Sequence, residues 1–165
     1  FEYTGILYVG LMINNKKPSV VEFNCRFGDP ETQPLLFRIE SDIFDLFYQT
    51  ALKQIDQYQL IWKRKTAISV VLASLGYPMS PETGGEIKEL ESFKNTDDEF
   101  VFHAGTKFLD NKVVISGGRV LNITALGHDL EDAINKVYDS INKVELKNFH
   151  YRNDIGKKGL VKKTK

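Results

Sequence analysis

The sequence predicts an α+β fold, and three observations predict it. Residues 3–27 carry β-branched and aromatic runs on either side of a polar turn. Residues 66–127 hold further short β-branched runs separated by glycine-containing turns, and residues 128–144 repeat apolar side chains at helical spacing. The expected order is therefore antiparallel strands plus helices, then a small mostly-β domain with one amphipathic helix. A length of 165 residues suits one ordinary domain or two small ones. A hydrophobic fraction of 42% and an aromatic fraction of 12% are those of a chain that buries a core.

Tyr3–Ile13 ("YTGILYVGLMI") is apolar on both faces, the composition of a buried strand. Asn14–Pro18 ("NNKKP") has the turn chemistry and length of a hairpin connection, so Ser19–Phe27 ("SVVEFNCRF") is expected to return antiparallel. Gly28–Glu31 is then a tight loop. Pro34 requires the next helix to begin near Thr32, because a proline deeper inside would clash with the preceding turn. Ser41–Gln54 follows helical spacing, with Ile43, Phe44, Phe47 and Ala51 on one stripe and Ser41 as N-cap.

The polar passage Gln54–Lys65 changes the pattern, and a boundary near residue 60 divides 1–60 from 61–165, with Trp62 read as an anchor between the two. Thr66–Ser74 is a strand and Gly76–Gly85 a loop. Glu99–Gly127 reads as three strands joined by an Asp110–Asn111 turn and a Gly117–Gly118 turn. His128–Val144 is an amphipathic helix with Leu130, Ala133, Ile134, Val137, Ile141 and Val144 on its apolar side.

Charge excludes some partners. Lysine and arginine number 22 against 22 acids, so no net field draws the chain to nucleic acid or to a membrane surface. No apolar run approaches the roughly 20 residues of a membrane span. The tail "KKGLVKKTK" concentrates lysines and is read as a solvated terminus. The single cysteine, Cys25, has no intrachain partner, and a reducing cytoplasmic setting is the expectation. The opening "FEYTGILYVG" lacks an initiator methionine and reads as a cut through a larger protein, whereas "YRNDIG" close to the other end reads as the approach to a natural C-terminus.

The chemistry concentrates in "EFNCRFGDPETQ", Glu22–Gln33. Side chains alternate along a strand, so Glu22, Asn24 and Arg26 are expected on one face and Val21, Phe23, Cys25 and Phe27 on a core face. Two positions span about 7 Å, close enough for Glu22 and Asn24 to converge on one cation or two neighbouring ones. A carboxylate and an amide oxygen are hard donors suited to Mg²⁺ or Mn²⁺, although a polar strand face of this kind is also common on sheets with no such role. Arg26 has the planar fork that holds a phosphate or carboxylate. Asp29 and Glu31 suit a turn and a helix start whatever their function. His103 is read as structurally hydrogen-bonded rather than catalytic, His128 as a surface or capping residue, and Gly117 and Gly118 as a hairpin turn or a phosphate cradle.

"RFGDPETQ" (Arg26–Gln33) resembles the signature of the glycinamide ribonucleotide synthetase family. The blocks "YTGILYVGLM", "VVEFNCRFGDPETQPLL", "VVLASLGYP", "VFHAGT", "GGRVLNITALG" and "YRNDIG" follow that family's order over the whole chain. The resemblance implies an ATP-grasp ligase that joins glycine to 5-phosphoribosylamine, with ATP as co-substrate. It implies that residues 1–60 are the C-terminal edge of the ATP-grasp domain and 61–165 the family's C-terminal domain. It further implies Glu22 and Asn24 as the Mg²⁺ or Mn²⁺ ligands, Arg26 as a catalytic residue, and Asp29 and Glu31 as substrate-binding residues. The family's N-terminal domains, with their ATP-clamping lobe and phosphate lysine, are absent from this sequence, so the chain is expected to be inactive alone. The alternatives are another ATP-grasp carboxylate–amine ligase or carboxylase, and a non-catalytic module.

Overall fold

The computed structural model describes residues 2–88, 90, 93–143 and 147–160. The chain divides into two compact units, Phe1–Lys63 and Arg64–Lys165. Together they are a mixture of antiparallel sheets and a few helices.

The first unit begins with a hairpin of β1 (Tyr8–Asn14) and β2 (Lys17–Asn24). Its connection is only two residues long. Asn15 and Lys16 both have positive φ, 49° and 62°, and Asn14 pairs with Lys17. That is the geometry in which turn twist matches strand twist, and asparagine tolerates it best among side-chain-bearing residues. The register shifts between Gly10 and Leu11: Leu11 faces Val20 while Gly10 faces Glu22, so Val21 is the extra residue of a bulge.

Two expectations fail here. The buried strand at Tyr3–Ile13 is shorter and exposed, with Leu11, Met12 and Ile13 half or more open to solvent. The apolar face of the returning strand is exposed too. Val21 and Phe23 are 65% and 63% exposed, and Cys25 is exposed rather than core. The physical reason is that β1 and β2 form a two-stranded sheet, with no third strand among the described residues, and a lone ribbon cannot bury both faces. Phe27 is the exception, half-buried with its ring 6.2 Å from that of Phe47.

α1 (Thr32–Phe37) starts where Pro34 requires, and α2 (Ile43–Ala51) follows. Asp42, not Ser41, caps α2: its carboxylate accepts from the Phe44 and Asp45 amides at 2.7 and 3.3 Å. The Ser41 hydroxyl instead accepts from the Ile61 amide at 2.7 Å. Trp62 has its partners inside this unit, bridging to Ile39 and lying 5.7 Å beneath the Arg38 guanidinium.

The second unit is built on an antiparallel sheet of order β4-β7-β3-β8. Its strands are β3 (Thr66–Ser74), β4 (Glu99–His103), β7 (Arg119–Gly127) and β8 (Phe149–His150). Between β4 and β7 the chain makes a separate hairpin, β5 (Thr106–Leu109) and β6 (Lys112–Ile115), turning at Asp110–Asn111. Glu99–Gly127 therefore holds four strands, not three. The break falls at Ala104–Gly105, where a Cβ on Gly105 would come within 2.6 Å of the Arg119 carbonyl and 2.9 Å of Gly117 Cα. Only a glycine lets the chain pivot there between two ladders.

α3 (Leu130–Asn142) lies across β3 and β7. Ala133, Ile134, Val137 and Ile141 on one helix stripe meet Ile68, Val70 and Leu72 of β3 and Leu121, Ile123 and Ala125 of β7, and all are buried. The alternation of β3 and the 3.6-residue period of α3 thus meet in one core. Val144 lies outside the described residues. Asp129 caps α3 by accepting from the Asp132 amide at 2.9 Å, and the His128 amide donates back to Asp132 at 2.8 Å, a reciprocal cap. A short helix, α4 (Lys157–Leu160), occupies the start of the lysine-rich tail, and residues 161–165 lie outside the described residues. No helix among the described residues is long and apolar enough to cross a membrane.

Candidate active-site strand

Cross-strand partners in an antiparallel ladder share a face. Gly10 faces Glu22 and Tyr8 faces Asn24, so these four residues lie on one side of the hairpin. The pairing leaves space above Gly10 that the Glu22 stem crosses: a Cβ there would be 3.1 Å from Glu22 Cγ and 3.6 Å from Tyr8 Cε1. Glu22 and Asn24 are thus a carboxylate and an amide two residues apart on a regular strand end.

Beyond Asn24 the strand stops, and alternation no longer governs Arg26. Its guanidinium is exposed and donates to the Phe27 carbonyl at 2.8 Å. The chain then closes on itself: the Thr32 amide donates to the Gly28 carbonyl at 3.0 Å, and the Thr32 hydroxyl donates to the same oxygen. Asp29 is exposed on this turn. Glu31 folds back across Gly28, which is buried; a Cβ on Gly28 would collide with the Glu31 carboxylate and stand 2.9 Å from Tyr8 Cε2. The Tyr8 hydroxyl reaches Glu31 Oε1 at 3.5 Å, a long hydrogen bond. The Glu31 charge foremost, then loss of water and the Glu22 charge, hold the Tyr8 phenol above the ordinary tyrosine range.

The structure therefore brings Glu22 and Glu31 beside one tyrosine ring, sets Asn24 opposite that tyrosine on the ladder, and leaves Arg26 and Asp29 on the turn. Tyr8 is the participant that strand patterning misses. Among the described residues no three His, Cys, Asp or Glu side chains converge as a metal-binding group. The hard-donor pair of Glu22 and Asn24 still fits a divalent cation whose remaining positions are filled by phosphate oxygens and water.

Other candidates have structural partners. His103 Nδ1 lies 3.0 Å from the Thr106 hydroxyl. Gly118 packs beneath the Tyr77 ring, and its carbonyl accepts from the Ser74 amide at 2.8 Å. A cleft of about 410 Å³ in the first unit is lined by Glu2, Tyr3, Thr4, Gly5, Thr50, Lys53 and Ile55, and neither Glu22 nor Asn24 lines it. The Lys53–Glu2 ion pair, 2.7 Å, accounts for its charge.

Residues 67–158 match the model of the phosphoribosylglycinamide synthetase C domain, more than half of the chain. The chain belongs to the phosphoribosylglycinamide synthetase family. Residues 1–32, which hold the Glu22–Asn24 strand, match that family's ATP-grasp (A) domain. The phosphoribosylamine–glycine ligase of Salmonella typhimurium is 46% identical over 156 residues, covering 93% of this chain and 36% of the relative. That of Caldanaerobacter subterraneus is 43% identical over 153 residues, with the same 93% and 36% coverage. The crystal structure of phosphoribosylamine–glycine ligase from Thermotoga maritima superposes with a TM-score of 0.71 at 34% identity, covering 90% of this chain and 36% of that one. The chain thus spans little more than a third of the length of these phosphoribosylglycinamide synthetase relatives.

Proposed function

We propose that this chain is the C-terminal part of a ligase that joins glycine to 5-phosphoribosylamine at the expense of ATP. The observation that carries this reading is the tandem match of an ATP-grasp end and a synthetase C domain, with a hard-donor pair on the ATP-grasp strand. In the reaction the ATP γ-phosphoryl group passes to a glycine carboxylate oxygen, releasing ADP and leaving glycyl phosphate. The amine nitrogen of phosphoribosylamine then attacks the acyl carbon; the C–O bond to phosphate breaks, the nitrogen loses a proton, and glycinamide ribonucleotide and phosphate result.

Such transfers need positioning and charge neutralisation more than a protein nucleophile. Glu22 and Asn24 would hold Mg²⁺ or Mn²⁺. When bound, such a cation would supply charge compensation for the nucleotide phosphates. Arg26, free of strand alternation on an exposed bend, swings its fork to the transferred phosphoryl group or the glycine carboxylate. Asp29 and Glu31, on the turn beyond the strand, accept hydrogen bonds from the incoming amine and orient it. The exposed faces of β1 and β2 pack against the remainder of the ATP-grasp domain, which also supplies the other walls of the site.

Glu22→Ala in the full-length ligase tests the reading. ATP- and glycine-dependent ADP release should fall ~100-fold or more, the scale set by removing one preorganised electrostatic group. Mn²⁺ affinity in the presence of ATP should fall with it. Near wild-type turnover with Mg²⁺ would refute the assignment.

A further inference from the structure

The arrangement around Tyr8 goes one step beyond the donor pair. The bulge at Val21 puts Tyr8 opposite Asn24, and so on the same face as Glu22. The two edges of its ring sit against two backbones that carry no side chain. Cε1 is the edge over Gly10, beside the Glu22 stem, and Cε2 is the edge over Gly28, beside the Glu31 carboxylate. A side chain at either glycine would enter that space, at 3.1 Å from Glu22 Cγ in one case and into the Glu31 carboxylate in the other. The ring therefore spans the strand and the following turn, and its hydroxyl ends 3.5 Å from Glu31 Oε1. The turn is closed independently by the two donations from Thr32 to Gly28, so the Glu31 backbone is set and its exposed side chain is the remaining freedom.

We propose that Tyr8 is a positioning residue for the amine-binding step: its hydroxyl holds the Glu31 carboxylate on the Glu22 side of the turn, where that carboxylate meets the amino group of the incoming substrate. Holding a flexible carboxylate in the receiving geometry before the substrate arrives removes an ordering cost from the binding step. The inference rests on the ligase reading given above.

The test uses the full-length ligase and a cycle of Tyr8→Phe, Glu31→Gln and the double variant. Phenylalanine keeps the ring in its slot between Gly10 and Gly28 and removes only the hydroxyl, and a thermal midpoint matching wild type checks that the slot is still filled. Tyr8→Phe should raise KM for phosphoribosylamine about tenfold, equivalent to about 1.4 kcal/mol, with KM for ATP unchanged within twofold. Calorimetric binding of glycinamide ribonucleotide, which needs no turnover, should weaken in parallel. Because Tyr8 acts through Glu31, the double variant should be no worse than Glu31→Gln alone, the signature of two coupled residues. Wild-type KM and product affinity in Tyr8→Phe would overturn the proposal. So would multiplying effects in the double variant, or an equal rise in KM for ATP. Failure of the ligase reading looks different: wild-type enzyme would then form no glycinamide ribonucleotide and bind none.

Discussion

Glu22 and Asn24 share a face because they sit on a regular strand end, whereas Arg26 is released from the strand two residues later and donates to its neighbour's carbonyl. The same distinction between held and loose charges governs acid sensitivity in the second unit. Hydrogen bonds from the His128 amide and the Lys136 ammonium hold Asp132 below its ordinary value of 3.8, and those from the Arg152 guanidinium do the same for Asp154. A carboxylate with a depressed folded-state pKa binds fewer protons when folded. Its stabilisation is complete above the unfolded value and is lost as pH falls through the folded one. The urea midpoint should therefore decline on acidification below pH of about 4 through these two groups. Asp132→Asn and Asp154→Asn should each flatten that acid limb, read by circular dichroism across a pH series. An unchanged slope in both variants would show that other carboxylates dominate.

At the scale of elements, α3 joins strong sequence signals to a large share of the core. Its apolar stripe is buried against β3 and β7, and its start is fixed by the reciprocal Asp129–Asp132 cap. Asp129→Ala leaves the Asp132 amide without its partner and should cost about 1 kcal/mol. Ile141→Ala removes a fully buried side chain and should cost about 2–5 kcal/mol, depending on how far the helix can settle onto the sheet. Denaturant unfolding of the two variants orders them; a cap variant as costly as the core variant would mean that the helix start is not local. Ser140 is the one polar residue on the buried side of α3, and it is satisfied by donating to Glu99 of β4.

For the whole molecule, the contrast between the two units is thermodynamic. The second unit closes a core of buried residues, while the hairpin of the first leaves Leu11, Ile13, Val21 and Phe23 exposed, more apolar surface than an isolated ribbon can stabilise. Phe23→Ser should barely change the stability of the 165-residue chain and should reduce its self-association in light scattering. In the full-length ligase the same substitution should lower the unfolding midpoint by several degrees, the shift expected for about 2–3 kcal/mol in a large domain. An unchanged midpoint there would show that nothing packs on this face. The 165-residue chain alone should release no ADP from ATP in the presence of glycine.

Much of this was legible in the residues themselves. The nine residues of β3, the start of α1 set by Pro34, the Asp110–Asn111 turn and the apolar stripe of α3 follow from period, proline geometry and turn chemistry, all local effects. The shared face of Glu22 and Asn24 and the turn that follows them likewise follow from alternation and turn chemistry. Three features needed the fold. Gly105 breaks one predicted strand into two because of a backbone approach to Arg119 from a distant strand. The core assignment of Val21, Phe23 and Cys25 depended on a covering layer, which alternation implies but does not supply. The bulge decided the last. Without Val21 as an extra residue, the two-residue turn at Asn15–Lys16 would pair Tyr8 with Phe23 and place its ring on the apolar face. With it, Tyr8 faces Asn24 and reaches Glu31. Side-chain period is a property of the local chain, but which strand face a residue shares is set by register, and register is a tertiary quantity.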